Sequence, residues 1–121
     1  MNELFGWLWI HLGVVSGMLL GLGFLRPEFL GGYDSSRRRL VRLGHISFFG
    51  LGALNILFAH ASPAVQPDCH AIAAIAFIIA GVSMPLSCAI VAWRQHFFPL
   101  FFVPVSASLL ATGLTAWEMF T

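Results

Sequence analysis

Lysine is absent from this chain, and charge of either sign is scarce: its 121 residues hold six arginines and five acids, 9% charged, for a formal net charge of +1. Soluble domains carry roughly 25% charged residues because a globule needs a polar shell. A soluble catalytic domain is thereby excluded. Cysteine is nearly absent too, and Cys69 and Cys88 lie nineteen residues apart on one expected helix, about 28 Å, too far to bond. The chain has no C-x-x-C-H for covalent haem, no glycine-rich phosphate loop, no nucleophile elbow and no H-E-x-x-H, so hydrolase and transferase chemistry has no motif here. No Asp, Glu, Lys or Arg falls in mid-span, which argues against a proton-coupled pump. Nothing points to nucleic acid.

What the chain has is apolar length: 59% of it is hydrophobic and its mean hydropathy is +0.88. Four apolar stretches, at about 4–25, 40–60, 69–93 and 97–117, each approach the roughly 20 residues that one helical span requires. None alternates apolar and polar residues as a barrel strand would. The expectation is an all-α integral membrane protein: one domain over 1–121, an antiparallel four-transmembrane-helix bundle. Met1, Asn2 and Glu3 run straight into apolar sequence without a signal peptide's basic start, so the first stretch is expected to stay as a span.

Arginine sets the expected orientation. Arg26, Arg37, Arg38, Arg39 and Arg42 flank the first connection and Arg94 lies in the third, whereas the opposite side offers only Glu3, Asp68 and Glu118. The Arg26 to Arg42 loop is therefore expected to be cytoplasmic and both termini outside, as in a bacterial inner membrane. Trp7, Trp9 and Trp117 would form the outer aromatic belt and Trp93 part of the inner one. Arg37 to Arg39 sit where a helix N-terminus prefers acids, so topology accounts for them better than helix stability does.

Local signals follow the same frame. Ser62 to Asp68 reads as the second connection, with Asp68 as an N-cap, and the brevity of Arg94, Gln95 and His96 predicts a hairpin with Pro99 in the first turn of the fourth helix. Pro85 and Pro104, inside spans, should bend their helices and free carbonyls for a nearby hydroxyl such as Ser83 or Ser106 to satisfy. Asn55 must find a partner on another helix. Gly13, Gly17 and Gly21 at four-residue spacing form a ridge for close helix approach, Gly52 lies about 20° from His45 around the second helix, and Ala71, Ala73, Ala74, Ala76, Ala80 and Gly81 line the third.

Five histidines are the main functional clue. His11, His60 and His70 fall toward the outer side, His45 and His96 toward the inner one. His45 and His60 are fifteen residues apart, about 22 Å along one helix and about 60° around it. Neutral imidazole is a common axial ligand of haem iron. The pattern suits two haem b groups stacked across a bilayer, an inner site using His45 with His96 and an outer one using His11 with His60 or His70. His11 and His45 are the leading iron ligands. The bland reading makes the histidines hydrogen-bonded or interfacial groups. Asp68, Cys69, His70 and His60 form a lesser candidate for copper or zinc. Two functions follow: a small b-type haem protein carrying electrons, with quinone or a respiratory complex as partner, or a cofactor-free accessory subunit or homo-oligomer whose glycine faces pack against other membrane helices.

Overall fold

The computed structural model describes residues 1–61 and 67–120, and these are all helix and connection, without strands. Helix α1 spans Asn2–Phe24, α2 Ser36–Ala61, α3 Pro67–Trp93 and α4 Phe102–Phe120. A 3-10 turn, Phe29–Gly31, interrupts the first connection, and a longer 3-10 segment, Gln95–Phe101, precedes α4. Four helical segments are long and apolar enough to cross a membrane, the last running Gln95–Phe120. Most of the expected second connection lies outside the described residues.

Local chemistry accounts for the helix ends. Pro67 opens α3, where its missing N–H costs nothing, and Asp68 in the first turn complements the helix dipole without being the cap itself. Leu30, Gly31 and Gly32 take positive φ between α1 and α2; the two glycines adopt it without penalty, and Leu30 is the one non-glycine that does so among the described residues. Pro104 falls in the first turn of α4, where proline is tolerated, because the chain spends 95–101 in the tighter helix. It is therefore no mid-helix break, and Pro99 lies in the 3-10 segment.

Packing is sequential. Helix α1 lies on α2, α2 on α3 and α3 on α4, with slight contact between α1 and α3 and no substantial one between α1 and α4. Among the described residues the helices therefore form an open layer, with no α1–α4 seam to close a four-helix ring. Helix α3 is central: 44% of its most apolar window is buried, against 11% for α1 and for the last segment. Its alanines explain why, since Ala73, Ala74, Ala76 and Ala80 bring neighbouring helices close, whereas Ala71 is exposed. Phe58, Phe77 and Ala111 complete a core cluster joining α2, α3 and α4.

Glycine sets the α1–α2 spacing. A Cβ on Gly6 would come within 2.5 Å of the Gly52 carbonyl, and one on Gly52 within 2.9 Å of the Gly6 carbonyl. Gly13 faces Phe48 and Phe49, and Gly17 faces His45. Gly21 has open space around it and takes no part in packing within the chain. The ridge thus runs Gly6, Gly13, Gly17, one member earlier than its spacing predicted.

Candidate functional site

Polar groups inside the layer are paired, and the pairs register the helices. Asn55, 0% exposed, donates to the carbonyls of Leu51 and Phe77 and accepts from the Asn2 side chain at 2.9 Å; Asn2 also donates to the Ala74 carbonyl. Three helices meet at this knot, as a buried amide requires. Trp9 donates its indole N–H to the Gly81 carbonyl at 2.9 Å. Gly81 stands four residues before Pro85, which has no N–H to return. The indole therefore satisfies the carbonyl that the proline frees, in place of the expected hydroxyl. Trp9 is half-buried and stacks on Phe5 at 4.6 Å.

All six arginines come to one end of the layer. Arg38, 7% exposed, donates to the carbonyls of Pro27 and Phe24 and lies over the Phe24 ring. Arg37 donates to the Ala92 carbonyl and lies over Trp93. Two successive arginines at the start of α2 thus cap the C-termini of α1 and α3, where a cation meets the favourable end of each dipole. They have a local structural role besides any topological one.

A groove of about 590 Å³ runs between α1 and α3 with α2 as its floor, and its walls are almost wholly apolar. Trp9 stands toward one end and Trp93 at the other; exposed Leu12, Leu19, Leu86 and Ala89 leave one side open. His45 and Ser16 form its polar corner. Ser16 Oγ lies 3.0 Å from the Gly13 carbonyl and 3.1 Å from His45 Nδ1. Which of hydroxyl and imidazole donates across the second contact is set by the imidazole tautomer. Phe49 packs edge-on against the ring. Gly17 makes the fit possible, because a Cβ there would lie 2.6 Å from the imidazole.

The other histidines are scattered. His11 is exposed on the face of α1 turned away from α2 and has no hydrogen bond or ring contact among the described residues. His60 Nδ1 donates to the Ile56 carbonyl at 3.0 Å within its own helix. His70 stacks on Phe58 and lines a separate cavity of about 490 Å³ beside Asn2 and Glu3. His96 lies on the 3-10 segment beside Phe97 and lines a third cavity with Arg37 and Arg94. None of these cavities is lined by two histidines, so neither the His45–His96 pair nor the pairing of His11 with His60 or His70 is assembled at a shared cavity of one chain. Among the described residues no three of His, Cys, Asp and Glu gather to hold a metal ion; Cys69 faces Glu118 instead. Both cysteines are free.

Sequence reasoning passed over Asn2, Gly6 and Ser16 as site-forming residues. A signal for them existed: Asn2, Gly6, Trp9, Gly13, Ser16 and Leu20 recur at three- and four-residue steps and mark one face of α1. His11 lies about 200° from both Trp9 and Gly13, which places it on the opposite face. The chain matches no family model, no curated protein and no solved structure.

Proposed function

We propose that this chain is a small membrane redox protein that seats one flat, apolar prosthetic group or substrate in the His45 groove, haem b being the first candidate and a quinone the second. The observation that carries the reading is the setting of His45, an imidazole that lines an almost wholly apolar groove with Nδ1 3.1 Å from Ser16 Oγ; with Nδ1–H donated to Ser16, Nε2 would keep its lone pair for a ligand. Histidines that bind metal characteristically donate their other N–H in this way. Ligand pockets of about 300–1,000 Å³ lined by apolar groups with a few placed polar ones are the common form of such sites, and helix interfaces are one place they occur. Bound haem would supply one-electron chemistry. The chain's own part would be to offer the His45 imidazole beside Ser16, to surround the ligand with the apolar groups of Trp9, Leu20 and Phe48, and to leave the open side for a ligand or partner from outside. The proposed setting is a bacterial inner membrane with the arginine end cytoplasmic.

A dithionite-reduced minus oxidised spectrum of the protein in mild detergent, with pyridine haemochrome quantification, tests this. One b-type haem per chain is expected, lost in His45→Ala and kept when His11, His60, His70 or His96 is replaced. Two haems per chain, or neither haem nor extractable quinone after supplementation, overturns it. A second reading, a cofactor-free accessory subunit or homo-oligomer, is favoured by unpartnered His11 on the outward face of α1. In that case the spectrum is flat and the chain migrates as a larger assembly in native gels, which His11→Leu weakens.

A further inference from the structure

At the arginine end a cavity of about 740 Å³ lies between the start of α2 and the 3-10 segment. Ser35, Ser36, Arg37, Arg94, Gln95 and His96 supply its polar wall, and neither acid of this end, Glu28 or Asp34, lines it. Arg37 is anchored by Nε to the Ala92 carbonyl at 3.2 Å and by the Trp93 ring, which leaves its remaining N–H groups free to face a ligand. Arg94 is exposed, and its guanidinium has no partner among the described residues. Gln95 donates to Ser36 Oγ at 3.0 Å and ties the two walls together. Two guanidinium groups and an imidazole thus share one concave space without a counter-charge.

We infer that this cavity binds a phosphate group, and that its source is an anionic phospholipid headgroup. Guanidinium forks match phosphate oxygens in geometry and charge. Trp93 borders both this cavity and the apolar groove, so a phosphate held here leaves its acyl chains against apolar surface. Free phosphate would use the same donors without that wall. The site is distinct from the His45 corner and does not depend on what the groove holds.

The test is lipid retention by native mass spectrometry, with thermal unfolding in nanodiscs of phosphatidylcholine with or without phosphatidylglycerol. Wild type is expected to hold one phosphatidylglycerol and to unfold at higher temperature when it is present. Arg37→Gln and Arg94→Gln are each expected to weaken retention about tenfold, the loss of one charge-assisted contact. Arg94 is exposed, so its variant folds even where Arg37→Gln does not. Arg39→Gln removes the same charge from a guanidinium held at the Asp34 carbonyl and is expected to change retention less than twofold. If inorganic phosphate at millimolar concentration stabilises wild type as phosphatidylglycerol does, the phosphate site stands and the lipid source is overturned. Equal loss in all three variants, or loss in none, overturns the site.

Discussion

At the scale of single residues, the decisive feature is which polar groups find partners on another helix. Asn55 anchors α2 to α1 and α3 through both ends of its amide, whereas Ser106 bonds only carbonyls of its own helix. Asn55→Ala is therefore expected to cost about 1–2 kcal/mol, and Ser106→Ala to stay within about 0.5 kcal/mol, in unfolding measured in detergent or by steric trapping. Ser16→Ala removes the hydroxyl 3.1 Å from His45 Nδ1, so under the proposed function ligand affinity at His45 is expected to fall roughly 10- to 100-fold while the protein still inserts, read by haem titration or quinone retention. The expectation that Asn55 joins helices was legible because a central amide has no alternative in lipid. Its partner Asn2 was not, since a residue at the edge of a span carries no such obligation.

At the scale of elements, the close approach of α1 to α2 and the proline in α3 are compensated by specific neighbours. Gly6→Ala would press a methyl onto the Gly52 carbonyl at 2.5 Å and is expected to cost about 1–3 kcal/mol, whereas Gly21→Ala, in open space, is expected to be neutral. Trp9→Phe leaves the Gly81 carbonyl unpaired and is expected to cost about 1–2 kcal/mol. In a Pro85→Ala background the new N–H can return to Gly81, so the same change should cost less; a double-mutant cycle by thermal unfolding reads the difference. Span positions were legible to within a few residues because length and apolarity alone determine them. The late start of α4 was not, because Phe97 to Phe101 is as apolar in a 3-10 segment as in an α-helix.

At the scale of the whole molecule, the distribution of charge and the openness of the layer govern behaviour. Every arginine stands at one end, joined there by α1, α2 and α3 contacts. An alkaline phosphatase fused after Phe120 is expected to be active and one fused at Gln95 inactive; the reverse result overturns the proposed orientation. The histidine sites were the least legible part. Their heights along the helices could be read from residue counts, but pairing depends on rotation, and a face cannot be assigned when every side of a helix is apolar.

Composition and run length alone determined that this chain is helical, that it has four segments long enough to cross a membrane, and that its basic residues gather at one end. These follow from the need to satisfy backbone groups inside lipid, which depends on local sequence only. Tertiary structure decided what rotation and depth control: that α1 turns Gly6 and Ser16 inward and His11 outward, that Trp9 bonds the Gly81 carbonyl left without the Pro85 N–H, and that His45 is the histidine that lines the groove between α1 and α3. Lipid and core are equally apolar, so no hydrophobic gradient along the sequence distinguishes the two faces; only the close packing of glycine, alanine and paired polar groups does.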